Sequence, residues 1–184
     1  TGGMGAGKST VCTIFEQIGV PIYDADSRAK WLMHNEPELK KEIKNNFGWD
    51  SYNRKDELNR EYLAKVVFNN HEKLEMLNKL VHPAVKQDYE QWTIQHREKP
   101  YSLKEAALLF ESNSYKNLHK VIVVTCPIEM RIERITKRDH VKKEDILKRI
   151  QNQSTDKQRL SRADYVIYND GNRSLIEQAL KIHH

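Results

Sequence analysis

Val11, Ile14, Phe15 and Ile18 fall three and four positions apart, the spacing of one apolar helix face. Val20–Tyr23 then forms a short extended run ending at Asp24, so the chain opens as a strand–helix–strand unit whose first strand is expected upstream of Thr1. From about Ala25 to His96 the pattern is helical. Leu32, Leu39, Ile43 and Phe47 keep helix spacing, Gly48–Asn53 is rich in turn formers, and Leu58, Tyr62, Leu63, Val66, Val67 and Phe68 resume it. Leu74, Leu77, Leu80, Val81, Val85, Tyr89 and Trp92 predict another helix, interrupted or bent near Pro83. Roughly 70 helical residues exceed a simple crossover between parallel strands. They predict a helical subdomain inserted at about residues 31–98. Strands return at Tyr101–Leu109 and Lys120–Thr125, the second with the β-branched composition of a buried parallel strand. Pro127 sits early in a helix carrying Arg131, Arg134 and Arg138, and Asp145–Gln153 predicts the next helix, carrying Lys148 and Arg149. Ala163–Tyr168 is the last strand. Asn169-Asp170-Gly171 turns into a final helix with Leu175, Ile176, Ala179 and Leu180.

The chemistry concentrates at the start of this pattern. Residues 2–9 read GGMGAGKS, the spacing Gly-x-x-x-x-Gly-Lys-Ser of a phosphate-binding loop. Gly2, Gly5 and Gly7 leave backbone free to curl around phosphate oxygens, and the amides of Gly3, Met4, Gly5, Ala6 and Gly7 are the candidate donors. Lys8 brings a cation to the β and γ phosphates, Ser9 a hydroxyl to Mg²⁺, and the helix beginning near Thr10 adds its N-terminal attraction for anions. The predicted class is therefore α/β: a parallel sheet of the phosphate-loop nucleoside triphosphate hydrolase type, flanked by helices. Its core is residues 1–30, 100–130 and 160–184 of a single domain spanning 1–184, and a helical lid covers about 131–155.

Several classes of phosphate-loop protein drop out. A GTPase calls for Asn-Lys-x-Asp and a switch Asp-x-x-Gly, and neither is present. A motor or transport ATPase calls for a long apolar strand ending in Asp, whereas Val121–Val124 ends in Thr125-Cys126-Pro127. The acids at a strand end are Asp24 and Asp26, which suits a small-molecule kinase whose carboxylate meets an acceptor hydroxyl and a metal. The arginines after Cys126 suit a lid over the transferring phosphoryl group, with Asp139–Val141 as its joint. The formal charge of +5 is spread along the chain, in short clusters at Lys40–Lys41, Arg131–Arg138 and Lys142–Arg149, without the concentrated basic stripe of a nucleic-acid surface. With 38% hydrophobic and 31% charged residues, no stretch reaches the roughly 20 apolar residues of a membrane span. Cys12 and Cys126 lack metal-ligand spacing and read as reduced thiols of a cytoplasmic protein.

In these motifs the chain resembles the dephospho-coenzyme A kinase family. The loop Thr1-Gly-Gly-Met-Gly-Ala-Gly-Lys-Ser is intact, and Asp24-Ala25-Asp26 is followed by Arg28. Phe47-Gly48, Leu58-Asn59-Arg60, Leu77-Asn78, Val81-His82-Pro83 and Leu108-Leu109-Phe110-Glu111 follow in the family's order. So do Arg134…Arg138-Asp139, Arg149-Ile150…Gln153, Arg159-Leu160 and Ala163-Asp164…Ile167. Ala107 stands where the family commonly has proline. The match runs to about Gly171 and implies ATP-dependent phosphorylation of the ribose 3′-hydroxyl of dephospho-coenzyme A, with Mg²⁺. A nucleoside or nucleotide kinase, and a non-enzymatic ATP-binding regulatory protein, are the alternatives.

The resemblance also implies roles. Asp26 is the base and a metal contact, direct or through water, and Arg138 with Lys8 completes the catalytic set. Asp24 either joins the acceptor site or orients the turn. Arg28, His82, Phe110, Glu111 and Arg134 face the acceptor. Arg149, Asn169 and Gly171 join Gly3 to Thr10 around the nucleotide. For Arg134 and Arg149 the alternative is a solvated charge, for His82 a helix joint, and for Phe110 ordinary core.

Overall fold

The computed structural model describes residues 1–68 and 70–184; Asn69, which falls in the predicted helical stretch, lies outside the described residues. The chain forms two compact units, Thr1–Ile22 with Leu103–His184, and Tyr23–Ser102.

In the first unit, helix α1 (Lys8–Gln17) buries Val11 and Phe15, two of the four residues that set its spacing. It stops where the Gly19 N–H turns back to the Glu16 carbonyl and the Val20 N–H to that of Phe15. Strand β1 (Ile22–Asp24) begins on the last residue of this unit's first segment. β2 (Leu103–Glu105) follows, its Leu103 N–H donating to the Pro21 carbonyl at 2.9 Å.

β3 (Ile122–Thr125) and β4 (Tyr165–Tyr168) pair in parallel, Ile122 opposite Tyr165 through Thr125 opposite Tyr168. On β3's other side the Val124 N–H donates to the Thr1 carbonyl at 2.8 Å, and Gly2 forms a parallel bridge with Val124. Extended backbone leading into residues 2–9 is thus already present at Thr1–Gly2. Flanked on both sides, β3 buries Val123 and Val124, which explains its apolar composition.

Helices α6 (Ile128–Asp139), α7 (Lys143–Gln151), α8 (Asp156–Leu160) and α9 (Leu175–His183) complete the unit. Its core contains Phe15, Leu109, Val123, Ile135, Ile146, Ile167 and Ala179. The joint between α6 and α7 falls at His140–Lys142, one residue on from the Asp139–Val141 expected from the sequence. Helix α8 is an addition: Thr155 and Gln158 form a reciprocal capping box, a start signal present in the sequence as Thr-x-x-Gln.

The predicted strand Tyr101–Leu109 is shorter than its apolar run. Only Leu103–Glu105 is strand, and Ala107–Asn113 folds into tight turns, with Ser112 N–H on the Leu108 carbonyl and Ser114 N–H on that of Leu109. A short apolar run buries equally well as strand or turn, so periodicity alone does not separate them. Phe110 and Glu111 therefore do not end a strand.

The second unit is helical after Asp24: α2 (Ala25–Asn35), α3 (Pro37–Phe47), α4 (Arg60–Phe68) and α5 (His71–Gln95). Its core gathers Leu32, Leu39, Ile43, Phe47, Tyr52, Leu63, Val81 and Val85. Ile43 is fully buried, and burial of such a side chain stabilises by about 1.5–3 kcal/mol. α5 runs through Pro83 as one helix, so of the interruption or bend expected there the interruption does not occur. The ring removes one helix hydrogen bond, and a helix of 25 residues packed along its length absorbs the loss.

Candidate functional site

In the first unit, residues 2–9 connect the segment beside β3 to the first turn of α1. This is the carboxyl end of the parallel strands, where ligands bind in open α/β sheets. Gly7 caps α1 in the left-handed region, at φ 93°. A Cβ there would lie 2.2 Å from the Asn169 amide nitrogen, so a side chain is excluded on both counts. Because α1 begins at Lys8, the N–H groups of its first turn have no acceptor within the helix. Ser9 and Thr10 stand exposed on that turn. A curled glycine backbone leading into a helix start fits the phosphate chain of a nucleotide.

Two loop amides are already committed. The Met4 N–H donates to Gln153 Oε1 at 3.0 Å and the Ala6 N–H to the Gly3 carbonyl at 3.1 Å. Of the five backbone donors expected to face phosphate, Met4 and Ala6 therefore shape the loop.

Asn169, just past β4, donates from Nδ2 to the Ala6 carbonyl at 2.9 Å and accepts from Arg134 at 3.3 Å. Arg134 also reaches Cys126 Sγ at 3.2 Å. Cys126 is buried, which pushes its thiol pKa up. Arg134 is thus neither a solvated charge nor remote from the loop: its guanidinium approaches Gly7. One turn on, Arg138 is exposed and bidentate to Asp139, at 2.6 and 2.9 Å. Arg149 is exposed on α7 and Gly171 on the turn after β4.

Arg131 departs most from its sequence reading. Placed at the start of a lid, it is 1% exposed and its Nε donates to the Met4 carbonyl at 2.8 Å. Its NH1 meets the Asp156 carboxylate at 3.1 Å, and Asp156 in turn pairs with the buried Arg159 at 3.1 Å. Gly3 packs against this guanidinium so closely that a Cβ would sit 2.4 Å from it. Sequence reasoning missed Arg131, Gln153 and Asp156 as loop partners. Arg131 has nearly the same helical phase as Arg138, seven residues on, and only the chain's long-range path separates the buried arginine from the exposed one. Glu111 accepts the Ser154 N–H at 2.7 Å, next to this group, and Phe110 is core, buried beside Tyr115.

The remaining predicted residues belong to the second unit. Asp24 caps α2, accepting from the Ser27 N–H at 3.0 Å and the Ser27 hydroxyl at 2.5 Å, so it orients the turn. Asp26 lies exposed in the first turn of α2, no longer in extended backbone. Arg28 pairs with Asp88 at 2.9 and 2.5 Å, and the Tyr23 hydroxyl donates to the same carboxylate at 2.6 Å. The Arg28 hydrogen bond holds the Asp88 carboxyl below its usual range, while burial and Asp88 push the Tyr23 phenol up. His82 is exposed on α5. A depression of about 280 Å³ in this unit is lined by Lys40, Lys44, Trp49 and Asp56, none of them predicted, and both lysines there are paired with Asp56.

Among the described residues no cluster of three His, Cys, Asp or Glu side chains forms a metal cage, and no helix is long and apolar enough to cross a membrane. An exposed Ser9 hydroxyl beside the glycine loop fits one oxygen ligand of a Mg²⁺ held mainly by phosphate and water oxygens.

Comparison with known proteins settles the family. A family model described as dephospho-CoA kinase matches residues 1–174. The chain belongs to the dephospho-CoA kinase family. A dephospho-CoA kinase of Bacteroides fragilis is 34% identical over 99% of this chain and 88% of its own. One from Chlorobaculum tepidum is 38% identical over 97% and 90%. Among solved structures, a Thermus thermophilus protein superposes with a TM-score of 0.88 at 31% identity, and the dephospho-CoA kinase of Campylobacter jejuni with 0.70 at 30%. Each covers 99% of this chain and 92% of the compared one. These likenesses confirm an α/β fold with parallel strands flanked by helices.

Proposed function

We propose that this dephospho-CoA kinase transfers the γ-phosphoryl group of ATP to the ribose 3′-hydroxyl of dephospho-coenzyme A, with residues 2–9 as its phosphate loop and Asp26 as its base. Family membership makes the chain a kinase of the last step of coenzyme A synthesis that uses ATP. The residue assignment rests on one observation above all: the glycine loop, the start of α1 and the Arg134–Asn169 pair converge at the carboxyl end of the parallel strands.

In this reading the fold is of the phosphate-loop class, the helices at about 31–98 bind the acceptor, and the outer part of 131–155 closes as a lid. Lys8 and the loop amides hold the donor phosphates. Arg134 supports the loop from the Cys126 side, and Arg138 opposes charge on the moving phosphoryl group after leaving Asp139. Asp26 takes the proton from the acceptor hydroxyl, a secondary alcohol that ionises poorly unaided. Mg²⁺, when bound, neutralises charge across the phosphates, and Ser9 contributes one hydroxyl ligand. The thiols of Cys12 and Cys126 suit a reducing cytoplasm.

The test is a panel of acceptors with ATP and Mg²⁺, scored for ADP release and by mass spectrometry. Dephospho-coenzyme A should gain one phosphoryl group at the 3′ position, and nucleosides and nucleotides should stay unmodified. Absence of product from dephospho-coenzyme A would remove the proposal.

A further inference from the structure

Met4 lies in the middle of the glycine loop, and both polar groups of its backbone are held by residues far along the chain. Its carbonyl accepts from Arg131 Nε on α6 at 2.8 Å. Its N–H donates to Gln153 Oε1, in the link between α7 and α8, at 3.0 Å. The two holders are themselves joined. Arg131 is bound to Asp156 at the start of α8, and Asp156 to Arg159. Arg159 donates to the Ser154 carbonyl, and the Ser154 N–H is taken by Glu111.

Arg131 is 1% exposed and Arg159 4% exposed, and each retains one buried nitrogen without a hydrogen-bond partner. Leaving donors unsatisfied in the interior is unfavourable by itself. Asp156, about two-fifths exposed, is the carboxylate that both guanidiniums share. The arrangement holds a short turn of backbone with more charge than packing requires.

We propose that Arg131, Gln153 and Asp156 are positioning residues that clamp the Met4 peptide, so that the 152–156 link at the end of the predicted lid sets the shape of the nucleotide loop. The inference rests on the nucleotide reading of residues 2–9. The clamp touches no phosphate. It fixes the peptide planes on either side of Met4, and with them the directions in which the neighbouring loop amides point. Preorganised donors bind and stabilise anions more strongly than donors that must first be ordered. A change in the 152–156 link would therefore reach nucleotide affinity through two hydrogen bonds.

The experiment uses the whole chain and four variants. Gln153→Leu removes the acceptor for the Met4 N–H, and Gln153→Glu restores one. Asp156→Ala removes the carboxylate shared by the arginines, and Asp156→Glu restores it. The first readout needs no nucleotide: amide exchange of Met4, followed by NMR, should quicken about tenfold or more in Gln153→Leu and return toward wild type in Gln153→Glu. The second is calorimetric binding of ATP with Mg²⁺, joined to KM for each substrate. Gln153→Leu and Asp156→Ala should weaken ATP binding and raise its KM about five- to tenfold, leaving the acceptor KM within about twofold. The Glu variants should recover most of this.

Unchanged Met4 exchange in Gln153→Leu would overturn the clamp. So would equal rises in both KM values, or wild-type ATP affinity in both disruptive variants. A wild-type protein that binds no ATP would sink the nucleotide reading instead, and the exchange measurement would still decide whether Met4 is clamped. Asp156 and Gln153 are both partly exposed, so at least one pair of variants retains the fold for this comparison.

Discussion

Lys8 and Asp26 belong to different units and carry different predictions. Lys8→Ala removes a charge-assisted contact to the donor phosphates, worth on the order of 1.5–3 kcal/mol. Turnover should fall at least roughly tenfold in a steady-state assay. Near-normal turnover would mean that the loop is not the catalytic one. Asp26→Asn keeps the shape of an exposed side chain and its ability to hydrogen-bond, but not its capacity to take a proton. Loss of a general base should slow transfer by about 10²–10⁴-fold with ATP affinity retained. A Mg²⁺ titration separates the roles: a base variant saturates at the wild-type concentration, a metal variant requires more. Full activity in Asp26→Asn would move attention to Asp24, whose carboxylate already serves as the α2 cap. Loop spacing marked Lys8 for chemistry, and a strand-end position with the family resemblance marked Asp26. Neither signal distinguished Arg131, Arg134 and Arg138, which share one helix and face three environments: sealed interior, loop support and solvent.

At the scale of elements, the glycine loop has the least freedom to vary. Gly7→Ala places a methyl group against Asn169 in a left-handed conformation, strain of about 1–3 kcal/mol. The variant should melt several degrees lower and bind ATP at least tenfold more weakly, measured by thermal denaturation and calorimetry. Unaltered melting and binding would show that the loop relaxes without loss. α1 and β3 were readable because each carries its full signal locally: a four-residue apolar face in one, a β-branched run in the other. The Ala106–Phe110 run was not, because burial rewards apolar side chains equally in strand and turn. Pro83 does not end its helix. Proline weakens a helix locally, but contacts along the whole of α5 outweigh one missing hydrogen bond.

Over the whole molecule, each unit has its own core, and polar networks add pH dependence to packing. In the second unit Asp88 joins Arg28 and Tyr23, and its folded pKa is depressed by the Arg28 hydrogen bond. A depressed carboxyl stabilises the folded state above the ordinary value of about 3.9, and that contribution is lost as pH falls through the lower folded value. Denaturant melts at pH 6 and pH 2.5 should show a larger acid loss in wild type than in Asp88→Asn, which has no proton to gain. Equal losses would show that Asp88 is not a coupled group.

Local order along the chain determined the glycine loop, the helix after it, the buried strand, the long helical stretch and the arginine-bearing helices that follow Pro127. Each is encoded by residues within a few positions of one another, so periodicity and turn chemistry suffice to read it. Tertiary structure alone decided which arginine is buried and that Met4 is gripped from both sides. Met4's partners lie 127 and 149 residues away along the chain. Such pairs form only when the sheet brings distant segments together, and no spacing in the sequence records a contact made at that separation.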